Sequence, residues 1–203
     1  MSDAPKTAKL TLKSYQNTIA AATANSTREL SDCILHLCSS TGATASIYGN
    51  YAMAAPCLSA KWETTHAHLV SVLSAVLIDV SRLVTCLKLD LDEEVFGRAQ
   101  TLRRTPTNDP ALLLIGTQVY ASKLATDYLA HKLTTGQTPT AGSVATSIRL
   151  PNEPKTALGP TFLADIIALT GAILEVMARL EISLKDVMNF GLQVVQPQQE
   201  KKP

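Results

Sequence analysis

A strong charge of either sign is missing: the 203 residues carry 18 Lys and Arg against 17 Asp and Glu, a formal net charge of +1. Near-neutrality removes any general electrostatic reason to expect nucleic acid, an anionic membrane or an acidic substrate, so direct nucleic-acid contact is not indicated without a local basic patch. Missing too is an uninterrupted apolar run of the roughly 18 to 20 residues that a spanning helix needs, because Asp79, Arg82 and several serines interrupt the most apolar segment. No membrane partner is expected. Nothing has the glycine pattern of a P-loop or a dinucleotide fingerprint, and nothing forms a nucleophile elbow. Acidic residues are absent from 4–28, where Lys6, Lys9 and Lys13 stand among serines and threonines, a composition shared with organelle leaders. Arginine is also absent before Arg28, however, and Leu12, Tyr15 and Ile19 have the spacing of a structural helix.

What is present is enough apolar material for one compact domain with a sizeable core, 46% hydrophobic residues against 17% charged. The four cysteines Cys33, Cys38, Cys57 and Cys86 sit mostly in apolar helical contexts, where a thiol behaves as a small hydrophobe. They are read as reduced, which fits an intracellular protein, cytoplasmic or mitochondrial and not secreted. Cys33, His36 and Cys38 match no closed four-ligand metal pattern.

Periodicity predicts helices throughout. Leu12, Tyr15, Ile19, Ala22, Leu30, Ile34 and Leu37 keep a helical register over 11–37, with Asn25, Ser26 and Thr27 marking a bend. Residues 39–60, rich in Ser, Thr, Gly and Ala, read as a loop. From residue 68, Leu69, Val72, Leu73, Val76, Leu77, Val80, Leu83, Val84 and Leu87 form an amphipathic helix ending near Lys88. Asp90 and Glu93 have capping-box spacing for a helix starting at Leu91. Asp109 followed by Pro110 predicts a helix over 110–133. Residues 134–160, with several Gly and Pro, read as a long loop. Phe162, Ile166, Leu169, Ile173, Val176, Met177 and Leu180 mark another helix, Ser183 and Asp186 repeat the capping spacing, and a polar tail follows from Gln196. Trp62, the only tryptophan, is expected at a core edge, and His66 and His68 on the surface.

Two segments repeat. Residues 87–91 match 180–184 at an offset of 93 (87 to 180), bringing two amphipathic helices and two capping pairs into register; residues 32–36 match 127–131 at an offset of 95 (32 to 127). The expectation is a duplication, 11–105 and 109–196, folded as one all-α helical bundle in which the halves pack as an intrachain pseudo-dimer.

The run LSAVLIDVSRLVTCLKLDLDEEVFGRAQTLRR (73–104) resembles the C-terminal helix pair of the MazG-like, or all-α, nucleoside triphosphate pyrophosphatases, which include dimeric dUTPases and dCTP pyrophosphatases. The resemblance implies cleavage of an NTP to NMP and pyrophosphate, with Mg²⁺ held by Glu-x-x-Glu on an early helix and Glu-x-x-Asp on a later one. Carboxylates three apart on two facing helices can hold Mg²⁺ against phosphate oxygens and orient water. Glu29 and Asp32 match the early pair, whereas Val72 and Ala75 stand at the later pair and Ser71 beside it. In the second half Leu124 and Asp127 answer the early pair, Asp165 and Ala168 the later. Asp79, one turn beyond Ala75, is a candidate displaced ligand, so the candidate metal ligands are Glu29, Asp32, Asp79, Asp127 and Asp165. Arg98, Arg103 and Arg104 fall where the family carries basic residues near its phosphates.

Neither half keeps four ligands. The expectation is therefore a catalytically degenerate MazG-like protein without a cofactor, a structural or interaction subunit of a larger assembly such as a ribonucleoprotein, with protein partners. The alternatives are a divergent Mg²⁺-dependent NTP pyrophosphohydrolase and a non-catalytic sensor that binds a nucleotide.

Overall fold

Three helices start at caps that the chain itself supplies, Thr11, Asp90 and Asp109. The computed structural model describes residues 10–24, 29–54, 59–101, 109–136 and 161–196, and every regular element among them is helical, so the fold is an all-α bundle. Helix α1 (Leu12–Thr23) starts at Thr11. The Thr11 hydroxyl accepts from the Ser14 amide at 3.1 Å, and the Ser14 hydroxyl accepts from the Thr11 amide at 2.9 Å, a reciprocal cap. The bend expected at Asn25, Ser26 and Thr27 lies outside the described residues.

Helix α2 (Leu30–Ala54) overturns the loop expected from residue 39. Its small polar residues are interface. Thr41 and Thr44 donate to the carbonyls of Leu37 and Ser40, each at 2.8 Å, which satisfies their hydroxyls inside a helix. Thr41 also bonds Gln118 at 2.9 Å, and the Cys38 thiol donates to the Ala121 carbonyl at 3.4 Å. Helix α3 (Ser59–Cys86) likewise begins earlier than residue 68; Trp62, Cys57 and their expected surroundings lie outside the described side chains.

Within α3, Glu63–Cys86 is long and apolar enough to cross a membrane by length and composition, contrary to the expectation that Asp79, Arg82 and the serines preclude such a stretch. Its packing accounts for that composition: 67% of the most apolar window is buried inside the protein. A helix wrapped on most sides by others is apolar on most faces.

After α3 a π-helical turn (Leu91–Phe96) runs into the short α4 (Gly97–Thr101). Asp90 caps the turn as expected, accepting from the amides of Asp92 at 2.8 Å and Glu93 at 2.9 Å. The reciprocal arm is Glu94, not Glu93: the Glu94 carboxylate accepts from the Asp90 amide at 2.6 Å. A π-turn is wider than an α-turn, so the side chain that returns over the cap comes one residue later.

Helix α5 (Pro110–Thr135) has Asp109 at its cap, accepting from the Ala111 amide at 2.9 Å, with Pro110 in the first turn. It ends on Gly136 at φ 67, whose amide donates to the Lys132 carbonyl at 2.8 Å. The remainder of the loop expected to 160 lies outside the described residues, as does the tail beyond Gln196. Helices α6 (Phe162–Arg179) and α7 (Leu184–Val195) complete the fold. Ser183 stands at the α7 cap, but its side chain makes no capping bond, so the second capping box is not formed.

The helices pack as two hairpins, α2 with α3 and α5 with α6, joined through α2 and α5. Contacts then cross: α3 packs on α7, and α6 packs on the π-turn and α4. Each crossing helix follows a turn of the same construction. In the first, the Leu89 amide donates to the Val84 carbonyl at 3.0 Å and the Lys88 amide to the Thr85 carbonyl at 2.9 Å; in the second, Ile182 donates to Met177 at 2.8 Å and Glu181 to Ala178 at 3.4 Å. Both are Schellman endings with the apolar residue after the turn buried, and they stand 93 residues apart (88 to 181). The other sequence match does not coincide in space. Cys33 faces the last turn of α3 at Cys86, whereas Asp127 faces the start of α6 at Thr161.

Candidate functional site

Polar chemistry gathers where α5 passes the first turn of α6. Antiparallel packing sets Lys123 opposite Asp165 and Asp127 opposite Thr161. The Lys123 ammonium donates to one Asp165 oxygen at 2.9 Å, and the Thr161 hydroxyl donates to Asp127 at 2.9 Å. Asp165 is only 4% exposed, and its second oxygen, Oδ2, is buried without a hydrogen-bond partner. Lys123 is held charged above the ordinary lysine range, first by its hydrogen bond to Asp165 and then by the Asp165 charge, with Asp127 and Tyr120 adding to it. Its ammonium also lies 6.0 Å from the centre of the Tyr120 ring. Asp165 is therefore bound by a lysine, while Asp127, bonded to Thr161, adds only its field to that lysine.

Asp79 points elsewhere. It is buried on α3 and pairs with Arg82 at 3.6 Å, one turn along the same helix. Both charges act on Tyr15 of α1, whose phenol is raised well above its usual range chiefly by burial. The Tyr15 hydroxyl is fully enclosed, has no hydrogen-bond partner, and lies against Gly191 of α7, where an added Cβ would come within 2.6 Å of it. This cluster joins α1, α3 and α7 inside the bundle.

Glu29 and Asp32 are exposed at the start of α2. Their neighbour Cys33 meets Cys86 at 3.9 Å, so they stand level with the last turn of α3. Ala75 and Val72 lie about 16 and 21 Å back along α3 from Cys86, at 1.5 Å per residue. At that level Leu73 and Val76 meet Thr41 and Thr44 of α2 together with Leu114, Thr117, Ile173 and Val176, a seam with no room for a water molecule. The early positions of the first half thus lie at one end of their hairpin and the later ones at its middle, three to four turns away. Arg98 is exposed on α4; Arg103 and Arg104 lie outside the described residues. Among the described residues, no three His, Cys, Asp or Glu side chains are grouped to hold a metal ion.

Two features escaped the sequence reading. Lys123 gave no signal, because a lysine on an amphipathic helix ordinarily faces water. The outer face of α5 did give one: Leu112, Ile115, Val119, Leu129 and Leu133 are all exposed. With Ser122 and Thr126 they recur three or four residues apart, forming one stripe about 32 Å long at 1.5 Å per residue. The opposite face of the same helix is buried on α2 and α6, so α5 is apolar on both sides. No family model, no curated protein and no solved structure matches the chain.

Proposed function

We propose that the protein is a catalytically degenerate, MazG-like helical duplicate that serves as a structural or interaction subunit of a larger assembly. The observation that carries the proposal is the apolar outer stripe of α5 from Leu112 to Leu133. Exposed apolar side chains grouped on one helix face, here Leu112, Ile115 and Val119 and, past Ser122 and Thr126, Leu129 and Leu133, mark a contact site on a folded domain, and a helix apolar on two faces is one that a neighbour covers on both. An apolar stripe at helical spacing suits a partner protein that offers a groove or another helix. In a ribonucleoprotein it would engage a protein component rather than phosphates.

The matching turns at Lys88 and Glu181, with the crossed packing of α3 on α7 and α6 on α4, support descent from a duplicated unit. Three features weigh against hydrolysis by the family's route. Glu29 and Asp32 are remote from Val72 and Ala75, Asp79 is paired with Arg82, and Asp165 is bound by Lys123. A carboxylate neutralised by an ammonium at hydrogen-bond distance is not available to Mg²⁺.

The decisive experiment replaces Ile115 and Leu129 together by Glu in the full chain. Exposed positions tolerate such changes within about 0.5 kcal/mol, so the fold is retained while partners that co-purify with wild type from its native source are lost. Retention of the same partners by the double variant would sink the proposal. The pyrophosphohydrolase reading draws its support from two carboxylates, Asp127 and Asp165, whose charges both act on Lys123. It predicts Mg²⁺-dependent pyrophosphate release from an NTP panel, abolished by Asp165→Asn.

A further inference from the structure

Cys33 and Cys86 come from different helices, 53 positions apart in the chain, yet their sulfurs are 3.9 Å apart. Cys33 is buried on α2 with 1% exposure, while Cys86 is exposed in the last residue of α3. A disulfide needs the sulfurs near 2.05 Å, a contraction within reach of side-chain rotation when both already face each other across a helix pair. The other described thiol, Cys38, donates to the Ala121 carbonyl on the far side of α2 from this pair.

We propose that Cys33 and Cys86 form a reversible redox site, in which exposed Cys86 is the attacking thiol and buried Cys33 the resolving one, with hydrogen peroxide as the two-electron oxidant. Proximity divides the roles, since of the pair Cys86 is the exposed one and, among the described thiols, Cys33 is the one that meets it. The two sulfurs lie within hydrogen-bond reach of each other, and their contact favours the thiolate at exposed Cys86 and the thiol at buried Cys33. A thiolate is the reactive form of cysteine.

The Cys86 thiolate attacks one peroxide oxygen. An S–O bond forms, the O–O bond breaks, and the departing hydroxide takes up the proton released by Cys86, giving Cys86 sulfenic acid and water. The Cys33 sulfur then attacks the Cys86 sulfur. An S–S bond forms, the S–O bond breaks, and the leaving hydroxide takes the Cys33 proton as a second water. Two electrons pass from the sulfurs to peroxide, and a thiol reductant reverses the bond. The product clamps α2 to the end of α3, immediately before the turn at Lys88. There, the Gln16 amide of α1 donates to the Leu89 carbonyl at 2.9 Å, and its carbonyl oxygen accepts from the Leu91 amide at 2.9 Å. Oxidation therefore fastens the junction of α1, α2 and α3.

The test treats the reduced, folded full chain with hydrogen peroxide and maps its disulfides by non-reducing digestion and mass spectrometry, beside the same chain unfolded in urea. The expected result is loss of two thiols per chain, a single Cys33–Cys86 linkage, and a melting temperature that rises and returns on reduction. In Cys33→Ser, Cys86 is trapped by dimedone as sulfenic acid. Oxidation of Cys38 or Cys57 in preference to this pair would overturn the proposal. So would linkages between chains only, Cys86 driven to sulfinic acid with Cys33 free in wild type, or the same mixture of linkages from folded and unfolded chains. The wild-type map decides even if the serine variant does not fold.

Discussion

Lys88 and Glu181 share one backbone conformation, φ 56 and φ 55, although neither is glycine. Each is the left-handed residue of a Schellman turn, each is exposed, and each precedes a buried residue, Leu89 or Ile182, that anchors the following element. Every L-residue other than Gly meets a steric penalty in that region. The crossed packing of α3 on α7 and of α6 on α4 depends on these two reversals.

Replacing either residue by glycine is therefore expected to stabilise the fold. Lys88→Gly and Glu181→Gly should each raise unfolding stability by about 0.5 to 1 kcal/mol, relief of left-handed strain outweighing the added freedom of the unfolded chain. Urea denaturation with an unchanged m-value is the measurement. A loss of stability in either variant would mean that the side chain contributes more than its backbone costs.

The turns were legible in the sequence because an apolar face, a break and an acidic or hydroxyl cap leave a pattern at 93 residues (87 to 180). Ser183 shows the limit of that pattern: it stands at the cap with no capping bond. Helix α2 was misread beyond residue 39 because small hydroxyl residues favour loops intrinsically, while Thr41 and Thr44 are satisfied by carbonyls one turn back and fit the close approach to α5. The spacing that singled out Asp127 and Asp165 says nothing of their partners: Asp165 pairs with Lys123, and Asp127 accepts from Thr161. Both are tertiary facts that spacing on a single helix does not encode.

The contact between Tyr15 and Gly191 sets a second expectation. Gly191→Ala puts a methyl group into the space of the Tyr15 hydroxyl and against Ile78, and overpacking of this kind costs about 1 to 3 kcal/mol. Tyr15→Phe alone removes an enclosed hydroxyl that has no partner and is expected to be neutral or to stabilise by up to about 1 kcal/mol. Combined, the phenylalanine should recover much of the alanine's cost. A double-mutant cycle reads the coupling directly, and simple additivity would show that the two side chains do not compete for space.

Lys123 and Asp165 are unequal partners, since the carboxylate is buried and the ammonium is half exposed. Removing the cation strands a buried charge, whereas removing the carboxylate leaves an ammonium that can turn to water. Lys123→Met should therefore lower the melting temperature at neutral pH more than Asp165→Asn, and adding Asp165→Asn to Lys123→Met should restore part of the loss. Alkali gives an independent check. The folded state raises the Lys123 pKa, so its stabilisation is complete below the ordinary lysine value of about 10.4 and is lost as pH rises through the folded value. Wild type and Lys123→Met should differ at about pH 9, below the ordinary lysine value, and converge as the pH rises through the raised folded value; a gap that widens with pH would reverse the assignment.

The cap at the π-turn yields the sharpest contrast between neighbouring residues. Glu93 and Glu94 have the same side chain, and α-helical spacing from Asp90 selects Glu93. The Asp90 amide instead donates to Glu94 at 2.6 Å, while Glu93 contributes only its own amide to the Asp90 carboxylate. Asp90→Ala leaves the amides of Asp92 and Glu93 without their acceptor and should cost about 1 to 2 kcal/mol. Glu94→Ala should cost about 1 kcal/mol, as a charged acceptor is lost from a partly buried amide. Glu93→Ala, with its side chain exposed and its amide still capped, should stay within about 0.5 kcal/mol of wild type. Chemical denaturation of the three single variants measures the order. If Glu93→Ala proved the costlier of the two glutamate changes, the segment would begin as an ordinary α-turn in solution, and the wider first turn would have to be abandoned.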